Sequence, residues 1–112
     1  MKYSWALALL CFLSVHSFAS GYIRINQLGY LPQSVKVAVY LSDEKEGLQT
    51  FQLYESLSGK LVFEGKVEFA DATIWGMKTA FRLNFSEYKT NGGYYLQLGK
   101  TKSPSFRISN DV

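Results

Sequence analysis

Val35-Lys36-Val37-Ala38-Val39-Tyr40-Leu41 (VKVAVYL) decides how this chain is read. Val35, Val37, Val39 and Leu41 alternate with Lys36, Ala38 and Tyr40. A two-residue period is the signature of a strand, whose side chains point by turns to opposite faces. The alternation predicts a half-buried strand with the valines and Leu41 inward and Tyr40 outward. Similar runs occur along the rest of the chain: Phe51 and Leu53, Leu61 and Phe63, Val67 and Phe69, Met77 to Phe85, Tyr94 to Leu98, then Phe106 and Ile108. Ile23 and Ile25 form a first strand ahead of it. Leu31-Pro32-Gln33-Ser34, Ser56 to Gly59, Asn91-Gly92-Gly93 and Lys102-Ser103-Pro104 are turn signals between the runs. Asp43 to Gly47 reads as a charged hairpin loop. About seven or eight short strands at such spacing predict an all-β sandwich in a single domain.

The first residues lie outside that pattern. Lys2 supplies a positive charge, Trp5 to Val15 is mostly apolar, and Ser17-Phe18-Ala19 places small residues before a cut. This predicts a signal peptide over residues 1–19 and a domain over residues 20–112. The apolar stretch is too short to span a bilayer. The pattern implies a secreted or periplasmic product, with no membrane association after cleavage. The one Cys (Cys11) and the one His (His16) both fall in the signal. A mature chain without them has no Ser-His or Cys-His pair and no Cys/His zinc site. No cofactor or metal is expected. From Ser20 onward eleven Lys/Arg face nine Asp/Glu, and they are interspersed. Nucleic acid binding would need a basic cluster.

Three stretches carry a family resemblance. The first is Arg24 to Pro32 (RINQLGYLP) followed by Lys36-Val37-Ala38-Val39. The second is Phe51-Gln52-Leu53-Tyr54 with Ser58-Gly59-Lys60. The third is Asn84-Phe85-Ser86, then Gly93-Tyr94-Tyr95-Leu96, then Ser105-Phe106-Arg107-Ile108. In this order they resemble the immunoglobulin-like domain at the N-terminus of family-nine glycoside hydrolases, the cellulase-type enzymes. The resemblance implies an immunoglobulin-like β-sandwich. It also implies a noncatalytic module that supports a helical catalytic domain acting on β-glucan or cellulose. That catalytic domain is expected to be absent from this chain, and the family's catalytic carboxylates with it. The family commonly carries Asp where this chain has Asn84.

The residues leave several site readings open. Glycoside hydrolysis needs two carboxylates about 5–10 Å apart across one sugar. The acids here fall in loops or on outward strand positions, and solvated surface is the simpler account. Asp43, Glu44 and Glu46 could hold calcium, but Lys45 sits among them. Exposed rings stack on sugars, so Trp75, Tyr40, Tyr54 and Tyr95 are candidate sugar contacts, which would make the chain an autonomous carbohydrate-binding module. For Trp75 the competing reading is a core or interface plug. Tyr94 falls on the core side and could anchor a turn through its hydroxyl. Asn26, Gln27, Tyr30, Leu31 and Trp75 are candidate contacts to the catalytic domain, with Tyr30, Leu31 and Trp75 in loops that the strand pattern does not bury. The competing reading of the polar ones is local, with side chains tying a strand to its turn.

Overall fold

The structure, a computed structural model, describes residues 21–112. The segment read as a signal peptide lies outside the described residues. In chain order the strands are β1 (Gly21–Arg24), β2 (Val37–Ser42), β3 (Thr50–Glu55), β4 (Leu61–Lys66), β5 (Glu68–Phe69), β6 (Thr79–Asn84), β7 (Gly92–Leu98), β8 (Thr101–Lys102) and β9 (Phe106–Ile108). A 3-10 turn, Ala72–Trp75, precedes β6. The first sheet has the order β1-β2-β6-β5, and the second β4-β3-β7-β8 with β9 also paired to β7. The result is the expected immunoglobulin-like sandwich, with nine strands among the described residues because β5 and β8 are two-residue segments.

The core lies between the sheets. Phe51, Leu53, Leu96 and Leu98 of the second sheet meet Phe81, Leu83 and Phe85 from β6 and its end. Each such side chain contributes about 1.5–3 kcal/mol over its exposed state. β4 and β5 are separated by Val67 alone, so one extended segment leaves the second sheet and joins the first. Glu64 and Glu68 therefore lie in different sheets, although both line one surface cleft with Lys66 between them in sequence.

Two expectations are corrected. The first is the facing of β2. Ala38 and Tyr40 point into the core, whereas Val37 and Val39 point outward and Val35 is 75% exposed. Leu41 is buried, but on the outward side of the pleat. The cause is cross-strand register. Tyr40 pairs with Phe81 and Ala38 with Leu83, and directly paired residues share a face. The large apolar set of β6 must be inside, so β2 conforms to it. Ile23 lies directly opposite Tyr40, and the phenol reaches diagonally past it over Gly21, where a Cβ would stand 2.2 Å from the tyrosine hydroxyl. The second correction concerns residues 43–47. They join β2 to β3, strands of different sheets, so the charged loop is a crossover and not a hairpin.

Candidate functional site

The Asn26 to Tyr30 motif is a turn that closes on itself. The Asn26 side-chain oxygen accepts from the Leu28 N–H at 3.0 Å, and its carbonyl accepts from the Gly29 N–H at 3.0 Å. Gly29 has φ +97°, and a Cβ there would come within 2.8 Å of the Arg107 carbonyl. Only glycine suits both the left-handed backbone and the close approach. Tyr30 then pairs with the last strand: its N–H donates to Arg107 and its carbonyl accepts from Ser109. The motif therefore joins the two ends of the domain.

The sequence places Tyr30 in an exposed loop as an interface contact, and the structure corrects this. Tyr30 is only 6% exposed. Its ring stands edge-on to Phe85 and Phe106, at 5.0 and 5.3 Å between centroids. The hydroxyl accepts from the Asn26 N–H at 2.9 Å and donates to the Val37 carbonyl at 3.1 Å. Burial raises its pKa. The ring is core because it fills the gap between the sheets' last aromatics.

Lys36 is fully buried, which its place in the sequence pattern did not reveal. Its ammonium donates to the carbonyls of Pro32 at 2.5 Å, Ser34 at 3.1 Å and Ser86 at 3.1 Å. Burial, and then the charge of Lys89, lower its pKa. Ser86 is held in turn by Asn84, whose side-chain oxygen accepts from the Ser86 N–H and hydroxyl. An amide oxygen does here what a carboxylate would do, so Asn84 in place of Asp leaves this turn intact.

Above this scaffold lies a groove of about 520 Å³. Leu28, Leu31, Val35, Val37 and Val112 line it, together with Asn26 and Arg82. Leu31 is 46% exposed, as its loop position implied, and Leu28 more so. Gln27 is exposed on another side, beside Ile25 and Pro104. Trp75 closes the 3-10 turn, with the Arg24 guanidinium 5.5 Å from its ring centre. The structure thus brings Asn26 and Leu31 together at the groove and places Gln27 and Trp75 elsewhere. Pattern reading missed Leu28, Val35 and Val37; the apolar character of β2 on both faces was the available signal.

The rings proposed for sugar contact do not form one surface. Tyr40 is inward, stacked on Phe81 at 5.8 Å, and its hydroxyl donates to Glu46 at 2.6 Å. Its outward assignment is corrected with the facing of β2. Tyr54 and Tyr95 are cross-strand neighbours in the second sheet and stack at 5.3 Å with planes 19° apart. The Lys102 ammonium lies 5.5 Å from the Tyr95 ring centre. Since β7 runs between β3 and β8, Tyr95 has Tyr54 on one side and Lys102 on the other. Trp75 belongs to the first sheet's side. Tyr94, by contrast, anchors its turn as read, with its hydroxyl donating to the Thr90 and Asn91 carbonyls.

The comparisons with known proteins fit this architecture. The family model described as the cellulase N-terminal Ig-like domain matches residues 19–103. A xyloglucan-specific endo-β-1,4-glucanase of Bacteroides ovatus is 36% identical over 106 residues, covering 95% of this chain and 17% of that enzyme. A cellulose 1,4-β-cellobiosidase of Acetivibrio thermocellus is 32% identical over 103 residues, covering 80% and 10%. Among solved structures, a metagenome-derived family-nine endoglucanase superposes with a TM-score of 0.65 at 25% identity, covering 80% of this chain and 18% of that one. The Bacteroides ovatus family-nine enzyme gives 0.64 at 36% identity, covering 78% and 15%. The chain spans less than a fifth of the length of each of these relatives. It belongs to the family of cellulase N-terminal immunoglobulin-like domains.

Proposed function

We propose that this domain is a noncatalytic accessory module of a secreted cellulase-type glycoside hydrolase, packing in cis beside a helical catalytic domain that degrades β-glucan. The observation that carries the reading is the groove beside the RINQLGYLP motif, where exposed Leu28, Leu31 and Val35 stand together on a scaffold of buried Tyr30 and Lys36. Contiguous exposed apolar surface of this kind marks a protein contact. The family relationship supplies the partner's class. The domain's contribution to activity is structural: it stabilises the catalytic unit and does not touch the scissile bond.

The test is a chimera. Residues 20–112 replace the corresponding domain of the Bacteroides ovatus endoglucanase, and thermal inactivation is compared with an enzyme lacking that domain. A later inactivation in the chimera supports the reading. Equal inactivation of the two sinks it. The isolated domain should release no reducing sugar from xyloglucan or carboxymethylcellulose.

The carbohydrate-binding alternative has one observation in its favour, the Tyr54–Tyr95 stack. It ranks second because a sugar would have to displace Lys102 to reach a face of Tyr95. Retardation of the isolated domain in gels containing soluble β-glucan, lost in Tyr54→Ala, would reverse that order. The pattern from Lys2 to Ala19 supports export, and an N-terminus at Ser20 in the secreted product would bear it out.

A further inference from the structure

The two sheets present different surfaces outward. On the second, the exposed side of the pleat carries Gln52, Glu64, Gln97 and Lys102 in one cross-strand row. That is the polar face of a sheet covered on one side and wet on the other. On the first, β2 turns Val37 and Val39 outward while Ala38 and Tyr40 fill the core. A strand apolar on both sides is the pattern of a strand covered on both sides. Val35, Leu28 and Leu31 extend the apolar surface past the end of β2.

Charge narrows what covers it. Arg24, Val39, Arg82 and Glu68 form one cross-strand row. Arg24 leans on Trp75 and has no salt-bridge partner among the described residues. The Arg82 Nε lies 3.8 Å from Glu68 with both side chains about half exposed, a contact that contributes little. Covering these guanidinium groups would leave them short of partners unless carboxylates meet them. Val112 also lines the groove. The family's domain is N-terminal, and the Bacteroides ovatus relative is several times longer than the match. In that relative the matched stretch is one part of a much longer enzyme, so a domain of this kind has further chain to pack against.

We propose that the outward face of the first sheet, from Arg24 across Val39 and Arg82 to Val37 and Leu31, docks a catalytic-domain surface that is apolar at its centre and carries carboxylates at its rim. The inference rests on the accessory role above and adds which face is used and what the partner must present.

Hydroxyl-radical footprinting of the chimera against the isolated domain tests it. Oxidation at Leu31, Val35 and Trp75 should slow several-fold in the chimera, while Tyr54 and Tyr95 react as before. Protection of Tyr54 and Tyr95 instead, in a chimera that is still stabilised, overturns the choice of face and leaves the accessory role standing. No protection at any site, together with no stabilisation, overturns both. Arg24→Glu should remove much of the stabilisation in the chimera while costing the isolated domain no more than the loss of its Trp75 contact, which Arg24→Ala measures separately, and Arg24→Lys should retain part of the stabilisation. An undiminished effect in Arg24→Glu overturns the acidic rim. If the chimera does not fold, the isolated domain added in trans to the relative's catalytic portion gives the same footprint readout.

Discussion

The Tyr30 hydroxyl donates to the Val37 carbonyl at 3.1 Å while accepting from the Asn26 N–H. One phenol thus ties the turn that edges the groove to the strand that floors it. Tyr30→Phe keeps the ring contacts with Phe85 and Phe106 but leaves a backbone donor and an acceptor unpaired. The expected cost is about 1–3 kcal/mol, the penalty for unmet polar groups of this kind. Urea unfolding measures it, and an unchanged midpoint would show that the hydroxyl is dispensable. Tyr30→Ala removes the ring as well and should cost about 3–5 kcal/mol, the range for aromatic truncation in a core.

Lys36 makes a separate prediction. Its ammonium satisfies three carbonyls from two segments that are far apart in sequence. Lys36→Met preserves the stem but removes all three donors. The domain should lose about 1–3 kcal/mol, because carbonyls kept from water go unpaired. An equal or higher melting temperature in Lys36→Met would mean that removing the buried charge outweighs the lost bonds.

Alkaline pH should unfold the domain through its buried phenols. Burial first, then the hydrogen bond and charge of Glu46, push the Tyr40 pKa up to about 12. An unfolded tyrosine titrates near its ordinary value of about 10. Between those values the folded state holds a proton that the unfolded state has lost. The stabilisation is therefore complete below about pH 10 and falls as pH rises toward about 12. Burial also raises the pKa of Tyr30 and Tyr94, so the three act in the same direction. Tyr40→Phe should flatten the decline in melting temperature on the alkaline side. A slope identical to that of the unmodified domain would contradict the assignment.

Groove residues should behave oppositely to core residues. Leu31→Ser and Val35→Ser each change stability by about 0.5 kcal/mol or less, as exposed sites do. Solubility of the isolated domain should rise, since the apolar patch shrinks. A fall of many degrees in melting temperature for either would place that residue in the core.

Much of this molecule can be read from its sequence alone. The alternation at Phe51, Leu53, Phe81, Leu83, Tyr94 and Leu96 specifies both strands and inward faces, because these residues are large and apolar on one side only. The motif Asn26 to Tyr30 carries its family and its turn, because Gly29 and the Asn26 side chain act within a few residues of each other. The facing of β2 was not legible. Val35-Lys36-Val37-Ala38-Val39-Tyr40-Leu41 is apolar on both sides, so local pattern favours the valines, and only pairing of Tyr40 with Phe81 makes the choice. Lys36 looks like a surface residue until Pro32, Ser34 and Ser86 converge on it, which requires segments fifty residues apart to meet. Tyr30, Tyr40, Tyr54 and Tyr95 are chemically alike in sequence; register buries the first two and leaves the others on a polar sheet. Periodicity and short-range turn chemistry act within one segment and are written in the residues. Facing, burial of polar groups and the shape of the groove depend on which strands become neighbours, and tertiary packing alone decided them.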